Sequence, residues 1–122
     1  MAMAPPLCGG NISSGSDIHD VTDRFTPSCS YYFDGAAGEI VTIRMTRQSG
    51  TSDNPNNLDP FLMLLDPNDN TEVTDDDSGL PPPNSLIKEH KLEATGKYTI
   101  VAGSYNDTTV GPFDLTFSKN SP

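Results

Sequence analysis

The sequence predicts an all-β fold: an antiparallel β-sandwich, jelly-roll-like or immunoglobulin-like, with about seven or eight strands. Three observations predict this fold class. From residue 29 onward, apolar side chains recur at every second position, which is the period of a β-strand. Turn residues, mainly Gly, Asn, Asp and Pro, separate these apolar runs. No window of about ten residues combines the apolar period and the capping residues of an amphipathic helix.

The first two predicted strands are CSYYF (29–33) and EIVTIRMT (39–46), which the turn DGAAG joins. Because successive side chains of a strand point to opposite faces, Tyr31 and Tyr32 face opposite sides, and we expect one of them to be exposed. The second strand has an apolar face made of Val41, Ile43 and Met45. This alternation predicts that one face packs on a core and the other contacts water.

The remaining predicted strands follow at short intervals. They are PFLMLL (60–65), TEVT (71–74), SLIKEHKL (85–92), KYTIVAGSY (97–105) and PFDLTFS (112–118). The stretch DPNDN (66–70) is predicted to be a hairpin turn, because Pro presets φ and both Asn and Asp tolerate left-handed backbone. Two segments are predicted to be irregular: residues 9–28, with a weak strand DVTDRF, and the polar loop 46–57. No repeat or linker divides the sequence, so residues 1–122 are predicted to form a single domain.

Composition excludes several classes of partner. Seventeen acidic residues against seven basic ones give a formal net charge of -10. This charge repels nucleic-acid phosphates and anionic membranes, and it favours cations or basic surfaces. No apolar run approaches the roughly 20 residues of a membrane-spanning helix. We therefore expect no nucleic-acid partner and no membrane insertion.

The two cysteines, Cys8 and Cys29, are far enough apart to fasten the N-terminal segment to the first predicted strand. In an oxidising compartment a disulfide between them would stabilise the fold by roughly 3 kcal/mol in the chain-entropy model. The alternative is two free thiols. The start of the sequence lacks the charged and apolar regions of a secretion signal, so any export signal is expected to lie outside this chain.

Five motifs in roughly the C-terminal half occur in an order typical of one family. They are LDPFLMLLDP (58–67), DDDSG (75–79), NSLI (84–87), TGKYTIV (95–101) and FDLTF (113–117). In this order they resemble the bacterial pre-peptidase C-terminal domain family. Residues 31–45 resemble the family more loosely, and residues 1–28 match little of it.

The resemblance implies a jelly-roll-like sandwich that is appended to secreted bacterial hydrolases, often proteases, and is frequently removed during maturation. It implies a non-catalytic accessory domain that assists targeting, folding or secretion of a parent hydrolase. Related collagen-binding domains of clostridial collagenases bind calcium through an acidic N-terminal linker and carboxylates just before the Y-Y-F strand. Here Cys29 and Ser30 stand at those last positions instead.

The sequence offers little for catalysis, and we predict that the chain is not an enzyme. His19 and His90 are its two histidines, and no G-x-S-x-G motif is present. His90 lies among charged residues of a predicted strand, which favours an imidazole that faces solvent. His19 lies near Asp17 and Asp20, which leaves open a weak metal or proton-relay cluster or a loop residue without a role.

Calcium is the candidate cofactor, because acidic loops at the rim of a sandwich can supply its oxygen ligands. The candidate site joins Asp59, Asp75 and Asp77; in an extended strand Asp76 would point the other way. The alternative is that these carboxylates cap backbone N–H groups and keep the rim soluble. A second possible site consists of Asp17, Asp20 and Asp23. An EF-hand loop over 66–77 is rejected, because strands flank it and its sixth residue is not Gly.

Tyr105 is the candidate ligand-binding residue, since it ends a predicted strand beside the polar loop NDTTVG. Two alternative functions stay open beside the accessory role. One is a calcium-dependent module that binds or adheres to a polysaccharide or a fibrous protein. The other is a standalone structural or interaction protein.

Overall fold

The computed structural model describes residues 8–22, 27–48, 58–76, 84–104 and 109–121. These ranges contain nine strands and no helix. The strands are β1 (Gly10–Asn11), β2 (Ser16–Val21), β3 (Cys29–Gly35), β4 (Ile40–Arg47), β5 (Pro60–Leu65), β6 (Thr71–Asp75), β7 (Ser85–Lys91), β8 (Gly96–Ser104) and β9 (Pro112–Asn120). None of the described segments forms a helix long and apolar enough to cross a membrane.

The strands form two sheets, as the predicted sandwich requires. The first sheet has five strands in the order β1-β3-β8-β5-β6, and the second has four in the order β2-β9-β4-β7. Every pairing is antiparallel except that of β1 with β3. The prediction of an all-β, mainly antiparallel sandwich is therefore confirmed.

The period-two pattern of the sequence becomes the core between the two sheets. Alternate residues of β4 and β9 are buried, and they belong to one hydrophobic cluster that both sheets share. Its fully buried members on these two strands include Val41, Ile43, Met45, Phe113 and Leu115. Burying each such side chain stabilises the fold by about 1.5–3 kcal/mol before conformational entropy is subtracted.

The same alternation determines which of the two adjacent tyrosines of β3 is buried and which is exposed. Tyr31 is 1% exposed and belongs to the core, whereas Tyr32 is 36% exposed on the outer face of the sheet. The prediction that one tyrosine of the pair is exposed is confirmed.

The N-terminal segment is more regular than predicted. Strand β1 and strand β2 lie within residues 9–28, and β2 starts earlier than the weak strand predicted at 20–25. The described residues therefore form nine strands, where about seven or eight were expected.

Cys8 and Cys29 form a disulfide with their Cα atoms 5.5 Å apart, so the predicted pair lies at bonding distance.

The turn between β5 and β6 has the predicted hairpin form. Asp66 Oδ1 accepts hydrogen bonds from the backbone N–H groups of Asn68 and Asn70, at 2.9 and 3.0 Å. Asp69 adopts a positive φ of 63°, which Asp tolerates better than most residues. The carboxylate of Asp66 is thus used to hold the turn, in agreement with the rejection of an EF-hand loop.

Candidate functional site

The candidate calcium ligands that the structure describes lie at one corner of the sandwich, where β5 begins and β6 ends. The Ser85 hydroxyl lies 2.6 Å from the carbonyl oxygen of Pro60 and 2.5 Å from that of Asp76. Since Asp59 directly precedes Pro60, this shared hydroxyl brings Asp59 and Asp76 to the same corner. Each of these two residues has a carboxylate oxygen, Oδ1, that is shielded from water.

The groups at this corner also hold the local fold together. Asp75 Oδ2 accepts a hydrogen bond of 2.8 Å from the backbone N–H of Leu86, which links β6 to β7 across the two sheets. The Asp59 N–H donates to the Thr109 hydroxyl at 2.9 Å. The Arg47 guanidinium donates to the carbonyl oxygen of Leu58, the residue before Asp59, at 3.3 Å.

Among the described ranges, no group of three or more His, Cys, Asp or Glu side chains is placed to hold a metal ion. Calcium takes six to eight oxygen ligands, from carboxylates, backbone or amide carbonyls and water. Asp77, the third residue of the predicted site, lies outside the described residues, as do Asp23 and Tyr105. The calcium site and the Tyr105 contact therefore stay predictions.

The two described residues of the second predicted acidic site have different partners: Asp20 binds Tyr31, and Asp17 lies 3.9 Å from His19. Asp20 Oδ2 accepts a hydrogen bond of 2.5 Å from the Tyr31 hydroxyl, which connects β2 of one sheet with β3 of the other. Burial raises the pKa of Tyr31 well above its usual range, and the hydrogen bond and charge of Asp20 raise it further. The Tyr31 hydroxyl is therefore the donor in this hydrogen bond, and Asp20 Oδ2 is the acceptor.

His19 lies on strand β2 rather than in a loop. Its Nδ1 is 2.5 Å from Oδ1 of Asp114, which also accepts a bond of 3.0 Å from the Gln48 side chain. The hydrogen bond that His19 donates to Asp114, followed by the charges of Asp114 and Asp17, raises the pKa of His19 above 6.5. The imidazole is 63% exposed, so this cluster lies open on the outer face of the four-stranded sheet.

His90 does not face solvent, and that prediction is wrong. Its Nε2 lies 2.6 Å from Oε2 of Glu72, and the two side chains are only 23% and 11% exposed. The reason is a β-bulge in β7: Val41 pairs with His90 but Ile43 pairs with Ile87, so two residues of β7 oppose one of β4. The extra residue turns His90 toward the facing sheet, where β6 carries Glu72.

The backbone at the bulge shows how it forms. Glu89 adopts a positive φ of 49°, and its N–H donates to the Thr42 hydroxyl at 3.1 Å instead of to the strand ladder. Glu72 and His90 then join the two edge strands β6 and β7. On the opposite side of the sandwich, the Asp20–Tyr31 bond joins the sheets in the same way.

An apolar surface on the outer face of the five-stranded sheet was not predicted. Strand β5 is apolar at all six positions, and the three side chains that alternate with its buried ones are only partly buried. In register with them lie residues of β8, β3 and β6 that carry no charge. We call this surface the neutral face: Ser30, Tyr32, Phe61, Met63, Leu65, Thr74, Thr99 and Val101. The uninterrupted apolar run PFLMLL was the signal for it, since a strand with one wet face normally alternates.

The comparisons with known proteins agree on one family and one fold. The sequence matches the family model of the bacterial pre-peptidase C-terminal domain over residues 28–104. The structure is similar to the pre-peptidase C-terminal domain of collagenase from Bacillus anthracis, with a TM-score of 0.69 and 15% identity, covering 95% of this chain and 100% of that one.

A second solved structure has a similar fold. It is PliG from Aeromonas hydrophila, a periplasmic inhibitor of g-type lysozyme, with a TM-score of 0.61 and 14% identity, covering 93% of this chain and 96% of that one. No curated protein matches the sequence. At these identities the structural likeness shows the fold alone.

Proposed function

The chain belongs to the bacterial pre-peptidase C-terminal domain family, and on that premise we propose that it is a non-catalytic accessory domain of a secreted bacterial hydrolase. The single observation that carries the proposal is the family match, which spans residues 28–104 and so includes strands β3 to β8. In the proposed role the domain assists the targeting, folding or secretion of a parent hydrolase in a longer chain. The Cys8–Cys29 disulfide supports an oxidising, extracellular compartment.

The hydrogen bonds made by the partly buried acidic, tyrosine and histidine side chains support a role without catalysis. The two pairs Asp20–Tyr31 and Glu72–His90 connect the sheets on opposite sides of the sandwich. Asp75 holds a backbone N–H of β7. A catalytic acid or base needs a reacting group within hydrogen-bond reach, whereas these groups bond to one another or to the backbone.

Two measurements test the proposal. The complete reading frame should encode a hydrolase domain besides these residues; a frame without any other domain would support the alternative of a standalone structural or interaction protein. The isolated chain should release no product from casein, gelatin or an insoluble polysaccharide. Steady turnover by purified chain, lost on thermal unfolding, would contradict the proposal.

A calcium-dependent module that binds a polysaccharide or a fibrous protein is the second candidate. It is favoured by the meeting of Asp59 and Asp76 at one corner, each with a carboxylate oxygen shielded from water. Asp77 and Tyr105 would complete the metal site and the contact surface in this proposal. A pull-down with insoluble polysaccharides and collagen, with and without calcium, tests it: binding in neither condition would remove this candidate.

A further inference from the structure

A pocket opens at the edge of the five-stranded sheet, where the short strand β1 ends at Asn11. The next backbone N–H, that of Ile12, donates to the carbonyl oxygen of Tyr32 at 2.9 Å. Beyond that bond β3 continues without β1 beside it. The space left there is a cavity of about 240 Å³, which we call the β1 pocket. Its lining residues are Asn11, Ile12, Tyr32, Phe33, Asp34 and Lys97.

The polar side chains of the β1 pocket are available to a ligand. Asn11, Asp34 and Lys97 are exposed, and within the described ranges their side chains form no hydrogen bond and no ion pair. The backbone carbonyl of Asp34, in contrast, already accepts a hydrogen bond of 2.8 Å from the Lys119 ammonium. The unused hydrogen-bonding capacity of the pocket therefore belongs to a carboxylate, an ammonium and an amide.

Tyr32 adds an aromatic surface to these three polar groups. Its side chain is 36% exposed, and the Lys97 ammonium lies 4.8 Å from the centre of its ring. This cation–π contact holds the ring in place and leaves part of it open to a ligand. Asp34 and Lys97 lie in register on neighbouring strands, so their opposite charges are close together. The pocket thus combines an aromatic ring with polar groups whose formal charges cancel.

These groups fit a neutral sugar better than a charged ligand. A pyranose has an apolar face of C–H groups that can lie on an aromatic ring, and its hydroxyl groups both donate and accept. The Asp34 carboxylate accepts from hydroxyls, the Lys97 ammonium donates to them, and the Asn11 amide does both. A polyanion, by contrast, is repelled by a net charge of -10. The cavity is smaller than the roughly 300–1,000 Å³ of sites for drug-sized ligands, which indicates one sugar ring.

We propose that the β1 pocket binds one residue of a neutral carbohydrate and needs no metal ion to do so. The pocket lies on β1, β3 and β8, whereas the acidic corner lies where β5 begins and β6 ends. The biological use of the site rests on the proposed accessory role, in which the domain would bring a parent hydrolase to a polysaccharide. Binding of a single sugar is weak, with a dissociation constant of about millimolar order, because few contacts offset the cost of ordering exposed side chains.

NMR titration of the isolated, ¹⁵N-labelled chain tests this proposal, with a chelator present. The probes are glucose, galactose, mannose, N-acetylglucosamine, cellobiose and lactose. At least one of them should cause saturable shifts of the backbone amides of Asn11, Tyr32, Asp34 and Lys97. Tyr32→Ala should raise the dissociation constant about tenfold or more, whereas Tyr32→Phe, which keeps the ring, should bind nearly as the original chain does. Asp34→Asn should raise it about tenfold, because a hydrogen bond to a charged group is lost.

The matched control is Val21→Ala, which shortens an exposed apolar side chain of nearly the same exposure, 37%, on the other sheet. This variant should bind the sugar as the original chain does, and the dispersion of each spectrum shows that the variant is folded. If no probe causes saturable shifts at the pocket, or if Tyr32→Ala binds as tightly as Val21→Ala, the proposal is overturned. Neither result bears on the accessory role, which the complete reading frame tests separately.

Discussion

The Cys8–Cys29 disulfide allows a quantitative prediction, because the loop that it closes is known. The two cysteines are 21 residues apart in the sequence. In the chain-entropy model a loop of that length gives a stabilisation of about 3 kcal/mol at 25 °C. For a domain of this size, with an unfolding entropy of about 2.1 cal/mol/K per residue, the loss corresponds to a fall of about 12 °C in the melting temperature.

Urea unfolding of the original chain and of the double variant Cys8→Ala/Cys29→Ala measures this loss. The midpoint should fall and the slope should rise, because the unfolded chain without the cross-link exposes more surface; reductant should destabilise the original chain but leave the variant unchanged. Both cysteines are buried, at 8% and 1% exposure, so removing their sulfurs adds a small packing cost. The reduced original chain keeps the sulfur atoms but lacks the cross-link. Comparing it with the variant separates the packing cost from the loss of the disulfide's entropic stabilisation. A free energy of unfolding that reductant leaves the same would refute the reasoning.

Three further changes have defined outcomes. Asp114→Asn should lower the pKa of His19 toward 6.5, since Asp114 raises it; NMR titration of the imidazole measures this, and an unchanged value would count against the pair. Because the folded pKa is raised, the stabilisation from His19 is complete below about pH 6.5 and is lost as pH rises through the folded value. Gly35→Ala should destabilise by about 1–3 kcal/mol in thermal melts, because its Cβ would lie 2.5 Å from Cδ1 of Leu92; an equal melting temperature would show that the core can adjust. If the acidic corner binds calcium, adding calcium raises the melting temperature by mass action, and Asp59→Asn removes the rise; no rise with the original chain would exclude tight binding.

Most of the sandwich could be predicted because burial on one face imposes a visible period. In β4 and β9 the residues Val41, Ile43, Phe113 and Leu115 alternate with polar ones, and all four are fully buried. A one-residue shift would expose the whole apolar set, so such strands are easily placed from sequence.

The two N-terminal edge strands, β1 and β2, could not be placed in the same way. Strand β2, SDIHDV, has only Ile18 packed against the core, and Val21 is 37% exposed. Strand β1 has two residues and follows Cys8, whose disulfide fastens it beside β3. Covalent attachment and pairing across the sheet position these strands, and neither leaves a periodic pattern.

The candidate sites were harder to predict than the fold, and His90 shows why. In SLIKEHKL the charged residues around His90 indicate an exposed side chain. The bulge at Glu89 turns the His90 side chain from the outer face of its sheet to the inner face. No residue type near position 89 predicts a bulge there. Asp75 likewise accepts a backbone bond from Leu86, a partner that only the pairing of distant strands reveals.

The central claim, that this domain assists a parent hydrolase without taking part in its chemistry, is tested most directly by one comparison. The complete parent protein is assayed on a small soluble substrate, with and without residues 1–122. The account predicts equal kcat/KM for the two forms, because transition-state contacts would lie in the other domain. A fall of about tenfold or more in the truncated form, with its remaining domain still folded, would contradict the claim.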